Sequence, residues 1–193
     1  MVRLATKDDV ATLEIIHEAV TLNRTKIDDP IYAEAIQRKG FMLGNDSPHA
    51  IEHEIEQAYC AVVCERNGNI VGYSFADVRI EQKFSDDEYK TWFDLKLKDL
   101  YYNDPKIITL ADVVVHPDFA GQGIATEMLG FVADKLKTEQ FTHLFSIVTI
   151  APLTNTASLL WHTKRGFHRL SMGRPRRLFE LDNYAGLLLY KKL

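Results

Sequence analysis

The sequence predicts an α+β (mixed α/β) fold, one central sheet flanked by helices, and three observations predict it. Two strand-like runs near residue 65 are joined by Asn67-Gly68, the signature of a tight antiparallel hairpin. Downstream, strand-like runs alternate with amphipathic helical ones. The last two strand-like runs again follow one another without a helix between them. That order argues for a mixed, mostly antiparallel sheet and against an all-parallel one. With 193 residues, 46% hydrophobic and 26% charged, residues 1–193 are expected to form a single domain with a substantial core.

"VRLAT" (residues 2–6) alternates and reads as a first strand. Thr6 then caps a helix with Asp8 and Asp9 in its positive first turn. Val10, Leu13, Ile16, His17 and Val20 share one face of it. A second helix is expected from about Pro30 to Phe41. "SPHAIEHEIEQA" opens a short third one, with Ser47 as cap and Pro48 in the first turn. "YCAVVCE" and "IVGYSFADVRI" form the hairpin. "SDDEYKTWFDLKLKDLYY" reads as one helix begun by a Ser85–Glu88 capping box, with Tyr89, Trp92, Phe93, Leu97 and Leu100 at helical spacing. "IITLADVVV" is a strand. "GIATEMLGFVADKLK" is a helix with Ile124, Ala125, Met128, Leu129, Val132 and Leu136 inward. "HLFSIVTI" is a strand and "NTASLLWHTKR" a helix. "FHRLSM" and "GLLLYKK" suit a closing hairpin around a polar loop.

Composition excludes some functions. With 23 basic and 27 acidic residues the net charge is −4, which gives no reason to expect a nucleic acid partner. Apolar runs such as "GLLLY" are far too short for a membrane span, and "MVRLATKDD" lacks the apolar core of a signal peptide. Cys60 and Cys64, four apart on one strand, would stand roughly 13 Å from each other, too far for a disulfide. Reduced cysteines imply a cytoplasmic location. His49 and His53 have metal-compatible spacing but lack the H-E-x-x-H arrangement, so no metal is expected.

The chemistry is concentrated in "VVVHPDFAGQGIATEML". Gly121 and Gly123 permit a tight turn close to a ligand. The amides of Gln122, Gly123, Ile124, Ala125 and Thr126 fall at a helix start, where no intrahelical acceptor exists. They suit an anion, most naturally a phosphate or pyrophosphate. An ordinary strand-to-helix turn would use the same glycines. No Lys-Ser/Thr follows, as a Walker loop needs, and Thr126 stands where G-x-G-x-x-G requires glycine.

This stretch resembles the acyl-CoA loop of the GNAT family of N-acetyltransferases, Arg/Gln-x-x-Gly-x-Gly/Ala after a V-x-P turn. Gly123 and Ala125 match, whereas Ala120 replaces the first Arg or Gln. "NTASLLWHTKRGF" is similar to the family's N-x-x-A-x-x-L-Y-x-K-x-G-F helix. Asn155, Lys164, Gly166 and Phe167 match, Ser158 and Trp161 replace Ala and Leu, and His162 stands in place of tyrosine. Asn155, Ser158 and His162 share a helix face.

The resemblance implies a GNAT-like acyl-CoA N-acyltransferase fold with splayed central strands, and acetyl-CoA as cosubstrate between "LADVVV" and "HLFSIVTI". The pantetheine arm would pair with backbone groups of Val113 and Val115. The pyrophosphate would sit on the amides of the Gly121–Thr126 loop, and Asn155 and Ser158 would face the cofactor from the other side. The reaction implied is direct acetyl transfer to an amine, small molecule or peptide, in a ternary complex. His162 is the candidate acid for the thiolate, with more pH sensitivity than tyrosine because an ordinary histidine titrates near ~6.5. Asp112 is the candidate base. It interrupts an apolar strand and is expected to share a face with Leu110 and Val114, which would raise its pKa. Glu81 is a weaker candidate.

The helix expected from Tyr89 to Tyr102 would supply core aromatics and part of the acceptor wall. "GRPRR" (residues 173–177) reads as a solvated loop that could also attract an acidic acceptor or the ribose 3′-phosphate. A homodimer is compatible with all of this. Two other readings stay open: a non-catalytic acyl-CoA-binding or regulatory module on the same fold, and a nucleotide-binding enzyme.

Overall fold

The structure is a computed structural model that describes residues 1–44, 50–78, 89–104, 106–178 and 180–193, with residues 89 and 90 as backbone. Its strands are β1 (Val2–Leu4), β2 (Cys60–Arg66), β3 (Asn69–Asp77), β4 (Tyr89–Trp92), β5 (Ile107–Val115), β6 (His143–Ala151), β7 (His168–Gly173), β8 (Arg176–Leu178) and β9 (Leu181–Lys192). They join in one sheet of order β1-β2-β3-β5-β6-β9-β7-β4, with β8 beside β9. Every adjacent pair is antiparallel except β5 and β6. The helices are α1 (Val10–Val20), α2 (Pro30–Lys39), α3 (Ala50–Gln57), α4 (Leu95–Asn103), α5 (Ile124–Thr138) and α6 (Thr156–Lys164). The mixed, mostly antiparallel architecture is the one expected.

Local chemistry explains most boundaries. Asn67 and Gly68 take φ of 51° and 79°, the left-handed pair a tight hairpin needs. A 3₁₀ turn over Lys7–Asp9 leads into α1, and the Asp9 carboxylate accepts the Thr6 amide at 2.8 Å. The same carboxylate takes both arms of the Arg3 guanidinium at 2.8 Å, which ties the helix start to β1. Asp29 caps α2 through the Ile31 amide at 2.9 Å. Gly40, at φ 86°, ends that helix before Phe41, which is buried against Leu22 and Leu181 instead of extending it.

One element differs from expectation. Residues 89–103 are a short strand, β4, followed by α4, not one helix. Asp94 is the cap actually used, accepting from the amides of Lys96 (2.9 Å) and Leu97 (3.1 Å). The upstream strand pairs with β7, so tertiary pairing overrides the helical spacing. Ser85, Glu88 and the cap expected at Ser47 and Pro48 lie outside the described residues.

The sheet has a core on each face. On one side α5 packs Ile124, Met128, Val132 and Leu136 onto Val62, Cys64, Ile108 and Leu110. On the other, Leu13 and Ile16 of α1 and Ile51 of α3 cover Val63, Tyr73, Phe75 and Val114. Cys60 and Cys64 are free and buried, and burial pushes both thiols up.

Two irregularities shape the centre. Strands β5 and β6 pair only at Ile107–His143, Ile108–Leu144 and Thr109–Phe145, then separate. Beyond that fork β5 stays with β3 as far as Val115, and β6 stays with β9 as far as Ala151. Second, Phe75 lies opposite Asp112 while Ala76 lies opposite Leu110, so Ala111 is an extra residue, a β-bulge. The bulge overturns the shared face expected for Leu110, Asp112 and Val114. Leu110 packs on the α5 side, whereas Ala111 and Val114 pack on the α1 side. Asp112, opposite Phe75, faces α1.

Gly72 of β3 lets the layers approach. A Cβ there would meet the Val114 carbonyl oxygen at 2.6 Å and Met128 Cε at 3.4 Å. Gly72→Ala is therefore expected to lower unfolding stability by roughly 1–3 kcal/mol, read from urea denaturation at constant m-value.

Candidate active site

The site begins where β5 ends. His116 opens a 3₁₀ turn over Pro117–Phe119, and its Nδ1 accepts the Asp118 amide at 3.3 Å. Gly121 and Gly123 follow at φ 78° and 81°. A Cβ at either would meet nothing within 4 Å, so conformation and not crowding demands glycine there. The Gly123 carbonyl accepts from Thr126 (2.9 Å) and Glu127 (3.0 Å). Thr126 thus leaves the set of free donors that the sequence suggests. Among the described residues, the amides of Gly121, Gln122, Gly123, Ile124 and Ala125 have no acceptor. Five such donors, three of them on the exposed Gly121, Gln122 and Gly123, therefore sit at the positive end of a 15-residue helix, in which Ile124 is buried.

The fork supplies the rest of the cleft. The His116 amide donates to Val71 of β3 at 2.9 Å, and the Asp112 carbonyl accepts from Ser74 Oγ at 2.8 Å. Backbone groups of alternate residues point to opposite strand edges, so Val113 and Val115 direct theirs into the gap toward β6. At its apex Ser146 Oγ donates to the Leu110 carbonyl at 3.2 Å, closing the point where backbone pairing stops.

Helix α6 forms another wall. Asn155 is buried, but its amide has protein partners. Oδ1 accepts the Ser158 amide at 3.2 Å, capping α6, and Nδ2 donates to the Phe41 carbonyl at 2.7 Å. Its side chain thereby ties the start of α6 to the segment after α2. Ser158 Oγ lies 3.3 Å from His162 Nδ1. That nitrogen donates to the Ser158 carbonyl at 2.8 Å, which leaves Nε2 with a lone pair. Nε2 is enclosed and, like Trp161 Nε1, has no partner among the described residues. Phe167 stands edge-on to the imidazole at 4.8 Å. Burial lowers the pKa of His162 to about 4, so the ring is neutral near pH 7.

A profile of the Acetyltransferase (GNAT) family matches residues 27–167. This chain belongs to that family.

Solved structures agree on the fold. A ribosomal-protein-S18-alanine N-acetyltransferase from Escherichia coli is 12% identical, with a TM-score of 0.62 over 100% of this chain and 92% of that one. The smu.2055 protein of Streptococcus mutans UA159 is 12% identical, with a TM-score of 0.67 over 100% and 98%. Salmonella typhimurium yncA, solved with its cofactor acetyl-CoA, is 16% identical, with a TM-score of 0.63 over 100% and 93%. No curated protein matches the sequence.

Within this GNAT frame, the α1 face carries a group that the sequence did not single out for chemistry. Tyr73 is wholly buried, and its hydroxyl lies 2.6 Å from Nδ1 of half-buried His17. Burial, and then the charge of Asp112, push the Tyr73 phenol far above its ordinary range. Burial lowers His17. Helical periodicity puts His17 inward, but only the fold supplies its partner 56 residues away. Elsewhere, Trp92 packs against Tyr101 and Tyr102 in a core by α4, whereas Phe93 is exposed. Only part of the basic loop expected over residues 173–177 is a loop: Arg176 and Arg177 belong to β8, drawn into pairing with β9, and Arg176 lies over the Tyr184 ring at 5.8 Å. Glu81 and His49 lie outside the described residues. Among the described ones no cluster suited to a metal occurs, and no helix is long and apolar enough to cross a membrane.

The buried imidazole has a consequence for stability. The folded pKa of His162 is about 4, below the ordinary 6.5, so on acidification the unfolded chain takes its proton first. Stability is therefore lost as pH falls from 6.5 toward 4, by up to roughly 3 kcal/mol from this group. His17 and His143, also lowered by burial, act in the same direction. Urea midpoints measured across that window should fall steeply for the parent and less steeply for His162→Phe.

Proposed function

We propose that this GNAT protein transfers acetyl from acetyl-CoA directly to the nitrogen of a primary amine, in a ternary complex and without an acyl-enzyme. The observation that carries the reading is the pairing of five acceptor-less amides, Gly121 to Ala125, with a gap into which Val113 and Val115 direct their backbone groups. The amides fit a pyrophosphate and need no side chain at Ala120. The strand edge fits the amide-bearing arm of a pantetheine. Acetyl-CoA, when bound, supplies the activated thioester.

This chain's residues orient the cofactor and manage protons. Asp112, on the α1 face just past the fork, is the carboxylate assigned to hold the acceptor ammonium for its deprotonation. His162 is neutral, so an acid role for it runs through the Nε2–H tautomer, in which Nδ1 accepts a hydrogen bond from the Ser158 hydroxyl instead of donating to the carbonyl. The rate should therefore show no limb near pH 6.5 that depends on His162. A His162→Phe enzyme with lower kcat at every pH and an unchanged KM for acetyl-CoA supports that donor. Unchanged kcat assigns the ring to packing.

The acceptor is a small-molecule amine or a peptide. The second class is represented among proteins of this fold by the ribosomal-protein-alanine enzyme. We place the protein in the cytoplasm, with a homodimer compatible with it. A second reading, an acyl-CoA-binding module without catalysis, is favoured by one observation, the enclosure of His162 Nε2.

Two measurements separate these readings. Acetyl-CoA should raise the melting temperature, by the equivalent of about 2.7 kcal/mol at a hundredfold excess over Kd, and ATP or NAD should not. Thiol release with a panel of amines and short peptides should then identify acceptors; stabilisation without release would favour the module. Asp112→Asn is expected to lower kcat/KM for the amine at least tenfold while keeping the acetyl-CoA stabilisation.

A further inference from the structure

We propose that His17, held by Tyr73, is the residue that takes the acceptor amine's proton, with Asp112 balancing the charge. This rests on the amine-acetylation reading and refines its base.

The three groups come from three elements and meet on one face. Tyr73 pairs with Val114, so its ring lies beside the half of β5 that borders the gap. Asp112 lies on the same face, opposite Phe75, whose ring is 5.0 Å from that of Tyr73. His17 projects from α1 onto the pair, its ring nearly parallel to Tyr73 (24°), with Nδ1 at 2.6 Å from the hydroxyl. A tyrosine buried this completely keeps its proton. With Nδ1–H donating to the phenol oxygen, the phenol proton is free for another acceptor, and the charges of Asp112 and, less strongly, Glu54 reach it. That arrangement leaves His17 Nε2 with a lone pair on a half-buried ring. Burial keeps the ring neutral near pH 7, ready to accept. The other titratable groups on elements packed against α1 are Glu52, His53, Glu54 and Glu56 of α3, the last tied to Lys7, Asp77 of β3, and Asp8 and Asp9 of the 3₁₀ turn, Asp9 being tied to Arg3. Glu14 and Glu18 lie on α1 itself.

The step balances. An N–H bond of the substrate ammonium breaks and Nε2–H forms. The neutral amine then attacks the thioester carbonyl, an N–C bond forms and the C–S bond breaks. The second nitrogen proton ends on the departing sulfur, and the imidazolium returns its own to solvent.

The test uses His17→Gln and Tyr73→Phe with an amine found by thiol release. Both should lower kcat/KM for the amine at least tenfold at pH 7, with the deficit shrinking toward the amine's own pKa, where solution supplies the free base. The acidic limb of the parent profile should vanish in His17→Gln, and acetyl-CoA stabilisation should persist in both. A His17→Gln enzyme that keeps the parent's rate and limb overturns the proposal, as does a loss by the same factor at every pH, which marks a structural role. If the parent itself releases no thiol with any amine, the acetylation reading falls first and takes this one with it.

Discussion

Strands β5 and β6 hold to each other for three residue pairs and then let go, and the candidate site follows from that separation. Each strand has another partner that keeps it in the sheet, β3 for one and β9 for the other, so the gap opens without fraying either. Two hydroxyls stabilise the transition. Ser146 bonds the Leu110 carbonyl where backbone pairing stops, and Ser74 bonds the Asp112 carbonyl beside the bulge. Both acceptors are backbone oxygens that would otherwise be buried at an irregular point of the sheet, where an unpaired carbonyl costs about 1–3 kcal/mol.

The bulge decides what the gap can do. Because Ala111 is an extra residue, Leu110 points toward α5 while Asp112 and Val114 point toward α1. The two sides of β5 thereby acquire different chemistry. Backbone donors and the positive end of α5 lie at its far end, where an anion is favoured. The α1 face gathers Asp112, Tyr73 and His17, groups that exchange or bias protons. One bulge thus separates the anion-suited end of β5 from a face that carries titratable side chains.

Much of this was legible in the sequence because it is local. The Gly121–Gly123 loop, the helix after it and the "NTASLLWHTKRGF" helix are each set by neighbouring residues, and each lies where the pattern put it. What was not legible depends on distant partners. The helix begins at Leu95, capped by Asp94, because residues 89–92 pair with β7 instead of extending it upstream. The bulge exists only relative to β3, so alternation along "LADVVV" alone mis-assigned the face of Leu110. The bond from Asn155 to the Phe41 carbonyl spans 114 residues and leaves no local trace in the sequence. His17 showed an inward position but no chemistry until Tyr73 was beside it.

His162 links these points. A tyrosine at that helix position would carry its proton on a hydroxyl beyond the ring, reaching farther than an imidazole can. The shorter ring here spends its proton on the Ser158 carbonyl, packs against Phe167 and stays neutral because it is buried. A ring in that state has no proton on Nε2 to give, so under the proposed acetyl transfer a leaving thiolate gains most from an amine that arrives already deprotonated. Under that proposal, a weak acid on the α6 side is offset most directly by a base on the α1 side. The hydrogen-bonded His17 and Tyr73, with the charge of Asp112 nearby, occupy that side.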